Sequence, residues 1–277
     1  MRESCSKQLM RDGFTDWVES LGDSTQSDPA LARFAVILAR HFTSKGRGCY
    51  PALMIADLSG HFAGIGLAGR RGERNLFAGL DFTLEPGAAL LLAGPNGSGK
   101  SSLLRLMAGF GRPLAGRFTW NGADIAADIE AHRARLHYVG HFDGLKPALT
   151  VAETLEFWIR LAGRGQAGAE ALAALGLAPL AALPCRFLSS GQRRRLALAR
   201  LAAWPAPLWL LDEPAVGLDR DALAALSQLV AGHRRRGGIV ILSTHQGIEL
   251  DGADTLRLTD FPPAKPAFGG IDPALDW

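Results

Sequence analysis

The sequence predicts an α/β fold whose strand-and-helix core is interrupted by a helical insertion. Three observations predict it. A short apolar run ending at Ala93 is followed by a glycine-rich turn and then by the apolar-periodic stretch LLRLMAGF, so strand, turn and helix follow one another. Further on, Leu208–Leu211 and Ile239–Ser243 are unbroken apolar runs suited to buried parallel strands, separated by helical spacing over Asp221–Arg236. Between these halves, residues 166–183 are rich in Ala and Leu and read as helical. Strands alternating with helices indicate an α/β core, and the Ala-rich middle a helical subdomain inserted into it.

Composition narrows the classes. A chain of 277 residues with 48% hydrophobic content has room for one large or two small domains with a substantial core. A net charge of +3 is too slight to argue for a nucleic-acid partner, and none is expected. Cys5, Cys49 and Cys185 lie far apart without metal-ligand spacing and read as reduced thiols. No apolar run approaches the roughly 20 residues needed to span a bilayer, and Ala30–Phe42 is broken by Arg33 and Arg40. The first residues include Glu3 and Asp12 and lack a continuous apolar core, unlike a signal peptide, so a cytoplasmic chain is expected.

Taken in order, residues 1–53 are polar over Ser20–Asp28 and carry one amphipathic helix, Ala30–His41. They read as an N-terminal extension, either an appendage or an upstream translated stretch outside the native protein. The motif-bearing domain is placed at 54–262. From Phe62 to Ala93, apolar runs punctuated by Arg71-Gly72 and Pro86-Gly87 predict strands and turns, and Trp120-Asn121-Gly122 predicts a hairpin turn. Thr150 and Glu153 form a capping-box pattern opening a helix with Leu155, Trp158, Ile159 and Leu161 on its apolar side. Gly237-Gly238 closes the helix over Asp221–Arg236. Residues 263–277 read as a proline-containing tail.

The chemistry centres on LLLAGPNGSGKSS, a G-x-x-x-x-G-K-S loop in the strand-to-helix context the motif requires. The candidate phosphate-binding residues are Gly94, Pro95, Asn96, Gly97, Ser98, Gly99, Lys100, Ser101 and Ser102. The glycines permit a loop whose N–H groups turn inward around an anion, and the helix that follows aims its positive end at the same point. Lys100 would reach the β- and γ-phosphates, and the Ser101 hydroxyl would ligate Mg²⁺. PLWLLDEP supplies the second half: Asp212 to hold the metal and Glu213 to polarise the attacking water. Leu188-Ser-Ser-Gly-Gln192 opens a further helix. Ser189 and Gly191 there make a second anion-binding terminus, and in a chain that already has its own loop this suggests use in trans. His245 follows the strand ending in Ser243, where parallel strands deliver ligand-contacting residues. The runs Arg193–Arg195 and Arg234–Arg236 sit on predicted helices and read as solvated faces.

In this order, the phosphate loop, LSSGQ, the Asp-Glu pair, Gly217-Leu-Asp219 and the final His resemble the ATP-binding subunit of an ABC transporter over about residues 56–260. The resemblance implies a P-loop NTPase (ABC ATPase) core with an antiparallel β subdomain and an α-helical subdomain at about 142–200. It further implies ATP and Mg²⁺ as cofactors and a head-to-tail homodimer. In that dimer Ser189, Gly191 and Gln192 of one copy would face the ATP held by Gly94–Ser102 of the other. Glu213 is then the catalytic base, His245 touches the γ-phosphate, Lys100 acts with them, and Asp219 lies at the dimer contact. Counted along the family pattern, Arg71 takes the place of the aromatic that stacks on adenine, and His141 that of the usual Gln contact to metal and water.

RRGERNLF, FTWNG, YVGHFDGLKPALTVAETLEFW and LSSGQRRRLALARL resemble, more narrowly, the ATP-binding subunit of the cytochrome c maturation haem exporter. That resemblance implies polytopic membrane partners, a place at the cytoplasmic face of the inner membrane, and no direct contact with haem. The alternatives are a subunit of another ABC transporter, or a soluble ABC-type ATPase working on ribosomes or DNA. Against the soluble class, neither a repeat of the ATP-binding half nor a heptad array is present.

Overall fold

The computed structural model describes residues 58–163, 168–243 and 250–263. The extension at 1–53 with its Ala30–His41 helix, His245 and all but the first residue of the 263–277 tail lie outside the described residues.

Two sheets organise the molecule. β1 (Phe62–Arg71) and β2 (Arg74–Leu84) form a hairpin, and β4 (Ala115–Trp120) and β5 (Ala123–Asp124) continue it into an antiparallel sheet of order β2-β1-β4-β5. The β4–β5 turn is Asn121-Gly122 with φ 50° and 79°, both left-handed, as a two-residue hairpin of this twist demands. The second sheet is parallel, in the order β6-β7-β8-β3-β9, from β3 (Ala89–Ala93), β6 (Leu136–Val139), β7 (Leu208–Asp212), β8 (Ile239–Ser243) and β9 (Asp254–Arg257).

Alternate residues of the parallel strands enter different cores, which explains their unbroken apolar runs. Leu208, Leu210, Ile239 and Ile241 pack with Phe62, Phe77, Phe118, Leu103, Leu104 and Met107. Trp209, Leu211, Val240 and Leu242 pack instead with Leu155, Leu172, Leu196, Leu198, Leu226 and Val230. Leu103, Leu104 and Met107 belong to α1 (Lys100–Met107), so the helix that follows the glycine loop is anchored to the sheet by fully buried side chains. α2 (Ile129–Ala134) leads into β6.

The helical insertion contains α3 (Val151–Leu161), α4 (Gly168–Ala174) and α5 (Ser190–Ala203), with 3₁₀ turns at Ala178–Leu180 and Cys185–Phe187. α6 (Arg220–Arg235) then connects β7 to β8. Two sequence expectations are corrected here. Helix does not run through 166–183. α4 ends at Ala174, and Gly176 at φ 65° turns the chain so that Leu175 and Leu177 still reach the core. Leu161 is exposed rather than part of the apolar side of α3, whose buried stripe is Val151, Thr154, Leu155 and Ile159. Leu161 lies two residues past Ile159, about 200° around the helix and off that stripe. No helix among the described residues is long and apolar enough to cross a membrane.

Candidate functional site

The loop after β3 bends inward because its glycines can. Gly94, Gly97 and Gly99 all hold positive φ, and a side chain at Gly99 would also run 3.2 Å from Leu76 Cβ. No side chain caps the start of α1, and Gly99, Lys100, Ser101 and Ser102 at that start line the concavity. Lys100 lies across that concavity. Its Nζ donates to Gly94 O at 2.7 Å and Pro95 O at 3.1 Å. Burial pulls its pKa below the usual lysine value, against the opposing pull of the Glu213 carboxylate and then that of Asp212.

β7 delivers the acidic pair. Asp212 is buried, and its Oδ1 accepts from Ser101 Oγ at 3.0 Å and from Ser243 Oγ at 2.7 Å, tying α1, β7 and β8 together at one carboxylate. A hydroxyl and a carboxylate oxygen this close form a hard donor set that suits Mg²⁺, which takes few protein ligands and leaves the rest to phosphate and water. Among the described residues no group of three or more His, Cys, Asp or Glu stands ready to hold a metal by itself. Glu213 adopts φ 49°, a left-handed conformation unusual for a residue with a side chain. Its backbone is held on both sides: its N–H donates to Ser243 O and Ser243 Oγ, each at 3.1 Å, and its carbonyl accepts from Arg194.

Around these residues lies a cleft of about 380 Å³, lined by Arg71, Asn96, Gly97 and Gly99 of the glycine loop, Lys100, Ser101, Ser102, His141 and Glu213, with Leu76 and Val216; Gly94, Pro95, Ser98 and Asp212 stand behind that lining. The structure therefore gathers Arg71, from the end of β1, and His141, from the loop after β6, at the same cleft as the phosphate loop and Glu213. The ring of His141 contacts that of Phe142 edge-on at 5.4 Å. Leu76 and Val216 escaped sequence reasoning because a single apolar residue in a strand or turn carries no local sign of what it lines.

Ser189, Gly191 and Gln192 do not line this cleft. Ser189 caps α5 in a reciprocal box: its Oγ accepts from Gln192 N–H at 3.2 Å, and Gln192 Oε1 accepts from Ser189 N–H at 2.8 Å. Gly191 packs so closely on the following loop that a Cβ there would stand 2.5 Å from Gly217 O. Asp219 caps α6 through Ala222 N–H at 2.8 Å and lies 3.9 Å from an Arg195 nitrogen.

The solvated-face reading of Arg193–Arg195 is wrong for Arg194. Arg193 is exposed, but Arg194 is 5% exposed, and all five of its N–H groups are engaged. Three consecutive arginines look alike in a sequence. Which of them turns inward depends on the phase of α5 against the end of β7. Arg234 is likewise tied down, donating to Gly87 O at 2.9 Å and Asp251 O at 2.8 Å.

Residues 77–216 match the family model described as ABC transporter. The cytochrome c biogenesis ATP-binding export protein CcmA of Rhodospirillum rubrum is 57% identical over 211 residues, covering 76% of this chain and 91% of that protein. Its namesake from Paramagnetospirillum magneticum is 52% identical over 209 residues, covering 74% and 96%. Among solved structures, an ABC transporter ATP-binding protein of Pyrococcus furiosus superposes with a TM-score of 0.64 at 22% identity, covering 73% of this chain and 99% of that one, a likeness of fold. An ATP-binding subunit of an ABC transporter superposes with a TM-score of 0.60 at 26% identity, covering 66% and 79%.

Proposed function

Because the chain belongs to the ABC transporter family, and within it to the cytochrome c biogenesis ATP-binding export proteins, we propose that two copies close head to tail over two ATP molecules at the cytoplasmic face of a membrane. The chain is the ATP-binding, ATP-hydrolysing subunit of that exporter. Polytopic membrane subunits carry the cargo, haem by family analogy, and this chain makes no contact with it.

The single observation that carries the dimer is the incompleteness of the cleft. It gathers the phosphate loop, Lys100, Ser101 and Glu213, while the exposed Ser189 with Gly191 and Gln192 stands elsewhere on the same chain. A second copy is what would bring that helix start, with its positive dipole end, onto the γ-phosphate.

Within each site the inward N–H groups of the Gly94–Ser102 loop hold the phosphates. Lys100 exchanges its two carbonyl partners for β- and γ-phosphate oxygens. Ser101 and Asp212 are the residues that would hold Mg²⁺, which when bound neutralises charge on those oxygens. Glu213 accepts a proton from the water that attacks the γ-phosphorus as the bond to the β–γ bridging oxygen breaks, giving ADP and inorganic phosphate. His245 contacts the γ-phosphate, His141 replaces the usual Gln at metal and water, Arg71 stacks on adenine, and Asp219 meets the partner copy.

The test is Glu213→Gln, with turnover measured in the complex with its membrane partners and association measured on the full chain alone. It should bind ATP with normal affinity, lose hydrolysis by on the order of 10²-fold or more, and elute as a stable dimer only with ATP. A variant that turns over at the normal rate, or that stays monomeric with ATP bound, would contradict the reading.

A further inference from the structure

Arg194 occupies a position that nothing in the nucleotide chemistry itself requires. It sits in the second turn of α5, the helix that opens with Ser189, and its side chain reaches back to the end of β7. Nη2 donates to Asp212 O at 2.6 Å and Glu213 O at 2.8 Å, and Nε donates to Pro214 O at 3.4 Å. Three consecutive carbonyls thus meet one guanidinium, and the middle one belongs to Glu213, whose φ of 49° is left-handed. The remaining nitrogen, Nη1, donates to Gly140 O at 2.8 Å and to Asp143 Oδ1 at 3.2 Å, the residues on either side of His141-Phe142. All five donors are thus used, and by two loops that both line the nucleotide cleft.

We infer that Arg194 is a positioning residue for hydrolysis, fixing the strained backbone of Glu213 and tying it to the His141 loop so that α5, Glu213 and that loop move together. The inference rests on Glu213 being the group that polarises water. A five-donor fork is needed because five acceptors on two loops surround one side chain, and the three donors of a lysine cannot meet them all. The arrangement also gives the helix start at Ser189 a rigid route to Glu213: a shift of α5 when a second copy engages moves the carbonyl anchor of Glu213 with it. A group acting in this way changes how often bound ATP is in reactive geometry, not how tightly it is bound.

The test compares wild type, Arg194→Lys, Asp143→Asn, Glu213→Gln and Arg194→Lys/Glu213→Gln in the complex with its membrane partners, measuring ATP turnover at varied ATP and nucleotide binding by fluorescence. Arg194→Lys should lower kcat on the order of ten- to a hundredfold, with KM and ATP affinity within about twofold. Asp143→Asn, which loosens only the His141 loop, should lower kcat several-fold, roughly threefold, again at unchanged KM. The double variant should be no slower than Glu213→Gln alone, because the two substitutions act through one group. A folded Arg194→Lys with wild-type kcat, or a loss confined to KM, would overturn the inference. Should Arg194→Lys fail to fold, Asp143→Asn decides it: lowered kcat at constant KM supports the tie, and wild-type kcat overturns it. Wild-type turnover by Glu213→Gln alone would overturn the reading of Glu213 itself, whatever the arginine variants do.

Discussion

Lys100 is a cation held over two backbone carbonyls in a place where burial disfavours its charge. Without phosphate it is a source of local instability, and with phosphate it becomes the strongest nearby counter-charge. Lys100→Ala should therefore lower hydrolysis by on the order of 10²-fold or more while leaving the melting temperature of the nucleotide-free protein unchanged or slightly raised. Calorimetry beside a phosphate-release assay checks both halves, and a lowered melting temperature would contradict the argument from burial. At this scale the sequence is most legible where chemistry and spacing are local. Gly99-Lys100-Ser101 and Asp212-Glu213 are adjacent residues whose partners are dictated by the turn or strand end that carries them. Arg194 was not legible, because its five acceptors come from residues 140–143 and 212–214, and only the folded chain brings those two loops to one guanidinium.

Two helices of the insertion begin with the same device. Thr150 and Glu153 cap α3, and Ser189 and Gln192 cap α5, each pair exchanging backbone and side-chain hydrogen bonds. Removing either hydroxyl should cost about 1 kcal/mol of stability. The two should part company in function. Thr150→Ala should leave ATP-driven dimerisation unchanged. Ser189→Ala should weaken it several-fold, because in the proposed head-to-tail dimer that helix start would meet the partner's nucleotide. Chemical denaturation and analytical ultracentrifugation of the two variants together make the comparison, and equal dimerisation by both would argue against Ser189 meeting the partner's ATP. Capping boxes are legible because they span four residues. The extent of α4 was not: Ala and Leu favour helix anywhere, and it is Gly176 and the burial of Leu175 and Leu177 that stop the helix at Ala174.

For the molecule as a whole, two buried histidines weaken the fold in acid. His132 stacks on Phe62 with centroids 6.0 Å apart and donates from Nε2 to Met107 O at 2.7 Å. His233 stacks on Trp209 at 3.9 Å, with its Nε2 3.4 Å from Ile239 O. Desolvation by burial is the main cause that pulls each from 6.5 down to about 4. Between those values the unfolded chain binds protons that these two rings refuse in the folded one, so their contribution to stability is fully present above about pH 6.5 and is lost as pH falls toward 4. Each histidine contributes about 3 kcal/mol to that loss. Urea midpoints measured from pH 7.5 to 4.5 should fall steadily below 6.5, and a flat profile down to pH 5 would contradict it. The parallel sheet carries a different consequence. β3, the strand that bears the glycine loop, is bordered by β8 and β9, which the chain reaches only after Leu208. A nascent chain emerging from the ribosome therefore holds the strand behind its nucleotide-grasping turn without either flanking strand until almost the entire domain has been translated. A truncated product ending before Ile239 would carry the whole Gly94–Ser102 string and still lack both strands that brace it.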